Sequence, residues 1–347
     1  MDQSPSQSLL GKNLANGWVV VEMVAPGPAA TGGTFCSRYF VEREGERAFM
    51  KALDFSRALK EENWTEALQE CLQEYHFERD LYIKCRDKKM TRVVVPIDHG
   101  TVDSGHPGQL GNVPYIIFEV AENGDFRQVV SGSVGVGVKW IIDALYGIAL
   151  GLFQLHQSQI AHQDLKPSNV LIFKDSESKL SDLGRASDMS NPFKWDGCRF
   201  AGDVNYAPYE IYYGWRVTEF GHRYVVDLYM LGSLIVFGFL GAPLNALLRA
   251  KCMSKGFNLG GLDFKEVLPF LVQAFSEVMA DLKEVIDRSV PSVSDDVCAI
   301  CMELCFPDPQ KRGVRRNGIH PSATSAQRYV GKLNYLSRKA SMARELN

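Results

Sequence analysis

The first hydrophobic runs in the chain have the composition of strands. Trp18 to Val24, Phe35 to Val41 and Ala48 to Leu53 are rich in β-branched and aromatic residues and predict three successive strands. A Pro- and Gly-containing stretch, Ala25 to Thr34, separates the first two, and Glu44-Gly45-Glu46 is a tight turn between the second and third. Trp64 to Lys84 is strongly helical and places Glu70, Glu74 and Glu78 on one face at i, i+4 and i+8. Val93 to Ile97 and Tyr115 to Phe118 predict two further strands, with Asp98 to Pro114 as a Gly-rich loop between them. Beyond residue 138 the period becomes helical. Lys139 to Gln157 carries apolar residues at 141, 144, 145, 148, 149, 152 and 155, a core-facing stripe. Leu228 to Leu240 is apolar but short and Gly-interrupted, which predicts a buried core helix and not a bilayer span.

The polar residues bunch most densely in His162-Gln163-Asp164-Leu165-Lys166-Pro167-Ser168-Asn169, directly before the apolar Val170-Leu171-Ile172. Asp182-Leu183-Gly184 follows eighteen residues after Asp164. A strand hairpin between the two brings together two carboxylates, a lysine and an amide. That set suits holding Mg²⁺ with a polyphosphate and drawing a proton from a hydroxyl. Gly132 to Lys139 superficially suggests a phosphate loop. It lacks the Gly-Lys-Ser/Thr ending, Val138 intervenes, and no strand leads into it, so a lead-in to the next helix is the reading adopted.

Composition narrows the class. At 347 residues, 46% hydrophobic and 23% charged, the chain has the balance of a soluble globular protein. A formal net charge of −3 gives no reason to expect nucleic acid as the main partner. MDQSPSQSLL has neither a basic n-region nor an apolar h-region, so no signal peptide is expected. Eight scattered cysteines suit reduced thiols and a cytoplasmic location. Cys298, Cys301 and Cys305 share a helix face with Val297, Ile300 and Leu304 nearby and have no neighbouring fourth ligand, which favours core packing over zinc. Residues 1–13 are polar and expected to be flexible. The tail from Arg315 reads as a loop and then a helix with Arg328, Lys332, Arg338 and Lys339, expected as a solvated face and not a nucleic-acid or membrane surface.

HQDLKPSN and DLG resemble the catalytic loop (H-R-D-x-x-x-x-N) and the metal-binding D-F-G of eukaryotic-like Ser/Thr protein kinases. Other segments resemble the family in the same order. Lys51 ends Phe49-Met50-Lys51 on the third strand. Glu78 lies on the following helix, 27 residues on, with Glu74 as the alternative. Tyr206-Ala207-Pro208-Tyr209-Glu210 resembles the A-P-E ending, Asp227 to Gly232 the start of the buried central helix, and Phe306 to Arg312 the closing segment whose arginine pairs with Glu210. The likeness covers residues 14–316. It implies an α+β, bilobal kinase-like fold: a small lobe over 14–118 with a five-stranded antiparallel sheet and one helix, a hinge at 119–123, and a mainly α-helical large lobe over 124–347. An insertion is expected at about 241–291. The compact size and the Y-A-P-Y-E ending are more similar to bacterial than to animal members.

The resemblance implies ATP and Mg²⁺ (or Mn²⁺) as cofactors and a protein bearing a Ser or Thr acceptor as substrate. Asp164 would orient the hydroxyl and accept its proton, Lys166 steady the γ-phosphate, and Asn169 and Asp182 hold the metal. Lys51, tied to Glu78, would grip the α- and β-phosphates. Gly32 and Gly33 would lie over the phosphates, and Glu119 and Ala121 would offer hinge backbone to adenine in front of Phe118. A lone strand lysine is more often a solvated edge charge; its distance from the hairpin is what favours the phosphate role for Lys51. Three departures stand out. The strict G-x-G-x-x-G is absent, Gln163 replaces the catalytic-loop arginine, and Asp203 stands where a threonine is usual, within expected reach of Lys166. Gln163 argues against activation by loop phosphorylation and for constitutive activity or control by a regulatory protein partner. A nucleotide-binding scaffold without catalysis and a small-molecule kinase are the alternatives. The intact Lys51, Asp164, Asn169 and Asp182 weigh against the first, and Lys166-Pro167 with the Glu210–Arg312 pairing against the second.

Overall fold

Glu44 and Gly45 both adopt left-handed backbone (φ 49° and 83°), so the chain reverses in two residues. This turn joins β2 (Cys36–Arg43) to β3 (Glu46–Leu53) in antiparallel register, from Arg43 opposite Glu46 to Cys36 opposite Leu53. The structure, a computed structural model, describes residues 4–25, 36–106, 110–132, 135–217, 219–313 and 326–344. The chain divides into two compact units: Met1–Met90 with Val94–Val120, and Thr91–Val93 with Ala121–Asn347.

In the first unit, β1 (Val19–Met23), β2, β3, β4 (Pro96–Asp103) and β5 (Asn112–Phe118) form one antiparallel sheet in the order β1-β2-β3-β5-β4. Tyr39, Val41, Ala48, Met50, Ala52, Val113, Tyr115 and Ile117 alternate onto one buried face. The helix α1 (Trp64–Asp87) extends three residues past the expected end and buries Phe77, Leu81, Tyr82 and Cys85.

The N-terminus overturns the expectation of a flexible arm. Leu9, Leu14 and Trp18 belong to the same apolar cluster as the sheet's buried face, and Leu9 is fully buried. Its polar groups are satisfied by the sheet: Tyr39 Oη donates to the Ser6 carbonyl (2.6 Å), Ser6 and Ser37 hydroxyls bond at 2.8 Å, and Gly11 N–H donates to Val20 O (2.8 Å). The fourth strand is also displaced from the expected Val93–Ile97. It starts at Pro96 and runs through Asp98-His99-Gly100-Thr101, which had been expected as loop. As an edge strand it pairs with β5 alone, so polar residues are tolerated along it, and Pro at its first position forfeits no ladder bond. Val93 instead bridges Leu180 in the second unit.

The second unit is mainly helical: α2 (Phe126–Val130), α3 (Val138–Gln157), then the short pairs β6 (Ile160–Ala161), β7 (Val170–Ile172), β8 (Ser178–Leu180) and β9 (Ser187–Asp188). Next come α4 (Tyr209–Tyr212), α5 (Phe220–Leu240), α6 (Leu244–Ser254), α7 (Phe264–Asp287), α8 (Pro291–Cys305) and α9 (Ala326–Arg344). By length and composition α3 and α5 are apolar enough to cross a membrane, and α5 begins well before the apolar run read from sequence. Both are packed in this unit; every residue of α5 from Val226 to Gly238 is buried. The segment expected as an insertion folds into α6 and α7, which pack on each other and on α5. Cys301 and Cys305 are buried in α8, and the Cys305 thiol donates to Tyr229 O on α5 (3.2 Å).

The C-terminal helix is more than a solvated face. Tyr329, Leu333, Leu336 and Ala340 bury a stripe of α9, which packs along α3. Its bases meet acids of α8: Arg328 and Lys332 pair with Glu303, and Lys339 with Asp296. The expected loop before it, 315–325, lies outside the described residues.

The packed N-terminus gives a direct comparison. Leu9→Ala should lower stability by about 2–4 kcal/mol in urea unfolding, whereas Leu10→Ala, at a site 62% exposed, should change it by less than about 0.5 kcal/mol. Equal, small effects of the two would mean that the segment is not part of the core.

Candidate active site

The polar loop is built by its short flanking strands. Ile160 and Ala161 pair with Asp188 and Ser187, and Val170 to Ile172 pairs with Leu180 to Ser178, so the chain enters and leaves the loop in fixed positions. Between them His162, Gln163, Asp164 and Asn169 are all buried. Buried polar groups need partners, and here most are supplied by one another.

Asp164 lies at the centre. Its Oδ1 accepts the Asp203 N–H (2.7 Å); its Oδ2 accepts from Lys166 Nζ (2.8 Å) and from Asn169 Nδ2 (3.1 Å). Asn169 Nδ2 also donates to the Asp164 carbonyl (2.8 Å). The amide nitrogen is thereby committed to Asp164, which leaves the hard Oδ1 oxygen as the group Asn169 can offer a cation. His162 ties this loop to the next motif. Its Nδ1 accepts the Asp164 N–H (3.3 Å), so the proton is assigned to Nε2, which donates to Ser181 O (3.1 Å). Ser181 N–H in turn donates to Asn169 O (2.9 Å). Asp182, the next residue, adopts left-handed backbone (φ 62°). Asn169, just before β7, and Asp182, just after β8, thus flank two paired strands and supply an amide oxygen and a carboxylate, a donor set that fits Mg²⁺ or Mn²⁺ better than zinc.

One residue essential to this geometry went unassigned in the sequence. Asp227 on α5 is fully buried, and its carboxylate accepts two successive backbone N–H groups, His162 (2.8 Å) and Gln163 (2.7 Å). His156 Nε2 at the end of α3 donates a third bond (2.9 Å). The available signal was a single acidic residue inside Val225-Val226-Asp227-Leu228-Tyr229, a charge within an apolar run.

The expected contact from Asp203 to Lys166 is corrected. The Asp203 carboxylate turns the other way and accepts the N–H and Nδ2 of Asn205 (both 2.9 Å), a local Asx turn. What reaches the site from Asp203 is its backbone N–H. Glu210 and Arg312, 102 residues apart in sequence, meet in a buried bidentate pair (2.6 and 2.9 Å). Arg312 also donates to Phe306 O (2.9 Å) and lies over the Tyr229 ring. Burial alone would lower the Arg312 pKa; the Glu210 carboxylate more than offsets this and raises it above the ordinary value.

In the first unit, Lys51 Nζ pairs with Glu78 Oε1 at 3.3 Å, with both side chains largely sheltered, and lies 5.9 Å from the Phe118 ring centroid. Glu78 is therefore a helix glutamate in contact with Lys51. Glu119 and Ala121 are half-buried and outside regular structure, and Ala121 O accepts the Gly124 N–H (3.2 Å). Gly32 and Gly33 lie outside the described residues.

Residues 42–316 match the family model described as a protein kinase domain. Among curated proteins, the chain is 27% identical over 186 residues to a receptor protein-tyrosine kinase (CEPR2) of Arabidopsis thaliana, covering 51% of this chain and 17% of that protein. It is 28% identical over 127 residues to the serine/threonine-protein kinase Nek3 of Mus musculus (35% and 23% covered). It is 31% identical over 129 residues to an Aurora kinase of Schizosaccharomyces pombe (37% and 34% covered). The chain thus matches between about a sixth and a third of the length of these relatives.

The buried pair makes a quantitative expectation. Arg312→Met, which strands the Glu210 carboxylate, should cost about 3–5 kcal/mol in chemical unfolding, and adding Glu210→Met should recover most of that loss. Equal destabilisation in the single and double variants would show that the two side chains do not depend on each other.

Proposed function

From the premise that this chain belongs to the protein kinase family, we propose that it transfers the γ-phosphoryl group of ATP to a Ser or Thr hydroxyl of a protein substrate. The observation that carries this reading is the Asp164 carboxylate, fixed on both oxygens by Asp203 N–H, Lys166 and Asn169. A carboxylate held this way has one orientation, so an incoming hydroxyl meets a fixed acceptor.

Asp164 aligns the substrate hydroxyl and accepts its proton as the new O–P bond forms and the bond from the γ-phosphorus to the bridging oxygen breaks, releasing ADP. Lys166, already on Asp164 Oδ2, brings its ammonium beside the acceptor and steadies negative charge on the transferring group. Asn169 Oδ1 and the Asp182 carboxylate hold Mg²⁺, which when bound neutralises polyphosphate charge. Lys51, paired with Glu78, binds the α- and β-phosphates. Glu119 and Ala121 present backbone to the adenine. The Lys166-Pro167 pair favours Ser and Thr over Tyr as acceptor, and Gln163, which is neutral, favours activity without loop phosphorylation.

The test is transfer from γ-labelled ATP with Mg²⁺ to a generic basic protein, with analysis of the labelled amino acid. Label on Ser or Thr is expected, reduced about 10²- to 10⁴-fold in Asp164→Ala and strongly reduced in Lys51→Ala. Label on tyrosine alone would overturn the acceptor assignment. Transfer to small alcohols or antibiotics without protein labelling, or undiminished transfer by Asp164→Ala, would overturn the reading itself.

A further inference from the structure

The segment between Arg185 and Gly202 has little regular structure beyond β9 and one short helical turn at Lys194–Gly197. Side chains hold its middle. Arg185 lies over the Trp195 ring with its guanidinium carbon 3.8 Å from the centroid, and Lys194 Nζ is 4.9 Å from it. Phe193 packs edge-on to the same ring at 5.8 Å. Asp196 makes the stronger attachment. Its Oδ2 accepts the Phe193 N–H (2.8 Å), and its Oδ1 forms an ion pair with Arg223 Nη1. Arg223 Nη2 also donates to the Asp196 carbonyl (3.1 Å). The Arg223 side chain is only 8% exposed, so its charge depends on this partner.

Arg223 lies on α5 one helical turn before Asp227, so the two charges share a helix face at i and i+4. Asp227 holds the backbone of His162 and Gln163, and Arg223 holds the middle of the 185–202 segment. The far end of that segment rests on the same loop. A Cβ at Gly202 would sit 2.0 Å from the Gln163 carbonyl oxygen, so only glycine allows this approach. The next residue gives its N–H to Asp164. The near end is fixed as well, since Ser187 and Asp188 pair with Ala161 and Ile160 and Met189 N–H donates to Gln159 O (3.0 Å). Gln163, buried and neutral, supplies no charge to the segment.

We propose that Asp196 and Arg223 form a built-in latch, a carboxylate encoded in the chain that anchors the 185–202 segment to α5 and so holds the Asp203 N–H on Asp164 without an added phosphate. Both are positioning residues for the transfer proposed above, and their role in activity rests on that reading. The anchoring itself does not. The latch fixes the loop by a charge of its own sequence. Its strength comes from burial, because Arg223 without Asp196 is an uncompensated charge in a low-dielectric site.

The experiment uses the full chain, phosphatase-treated and shown by mass spectrometry to carry no phosphate between residues 185 and 203. Wild type is compared with Asp196→Asn, with Asp196→Glu and with the exchanged pair Asp196→Arg/Arg223→Asp. Amide hydrogen exchange over 189–203 reads the anchoring, and kcat and KM for protein substrate and for ATP read its consequence. The dephosphorylated wild type is expected to stay active. Asp196→Asn should exchange faster over this segment and lose kcat/KM for protein substrate by about tenfold or more, with KM for ATP changed less than about twofold. Asp196→Glu should restore most of both, and the exchanged pair should do so if Asp196→Asn proves too unstable to assay. Loss of activity on dephosphorylation, or wild-type exchange and kinetics in Asp196→Asn, would overturn the latch. Should the wild type transfer no phosphate at all, the functional reading fails while exchange still decides the anchoring.

Discussion

A carboxylate with no exposure to solvent is costly unless every oxygen is occupied by donors, and the polar loop at 162–169 is arranged around meeting that demand at Asp227. Two consecutive backbone N–H groups, from His162 and Gln163, point at this one side chain. Consecutive amides converge on one acceptor only where the chain turns sharply, and Gln163 has a left-handed conformation (φ 65°) that a non-glycine residue adopts at some cost. The charge-assisted bonds to Asp227 offset that strain. Asp164 follows immediately, so its direction is set before any of its own contacts form.

From this fixed turn the site grows through short hydrogen bonds. His162 links forward to Ser181, Asn169 links back to Asp164, and the Ser181–Asn169 backbone bond fixes the approach of Asp182. Most of these groups sit on short strands or loops, yet the loops are not loose, because most of their buried polar atoms are satisfied internally, the Gln163 Nε2 excepted. The segment that closes the site from the other side, ending in Gly202 and Asp203, depends on side-chain anchors of its own at Trp195 and Asp196. Rigidity in the 162–169 loop and attachment of the neighbouring segment therefore converge on one face of α5.

Much of this was legible in the sequence. The β-branched and aromatic composition of Phe35 to Val41 and Ala48 to Leu53, with the Glu44-Gly45-Glu46 turn between them, specified the central hairpin, whose turn needs φ > 0 at Gly45. The polar bunch at 162–169 named the loop, and the glutamate of α1 that meets Lys51 is the one chosen from three on that face. The missed features share a physical reason: they depend on long-range partners. The Ser- and Pro-rich start looks flexible because its hydroxyls and carbonyls could as well face water; Tyr39 and Ser37 claim them instead. β4 looks like loop because an edge strand buries few residues. Asp203 is within reach of Lys166 by sequence, but an Asx turn to Asn205 competes locally for its carboxylate and wins. Asp227 was read as part of a helix pattern, and nothing in its own neighbourhood reveals that its partners lie more than sixty residues earlier.

The most direct test of this account is Asp227→Asn. An amide keeps the size and one oxygen but places an NH₂ against a backbone N–H, leaving one donor of the His162–Gln163 pair unsatisfied, at a cost of about 1–3 kcal/mol. Amide exchange at His162 and Gln163 would be measured together with kcat for phosphoryl transfer. The account predicts faster exchange at these amides and a fall in kcat of about tenfold or more with KM for ATP little changed. Wild-type exchange and wild-type kcat in this variant would contradict the central role given to the buried carboxylate.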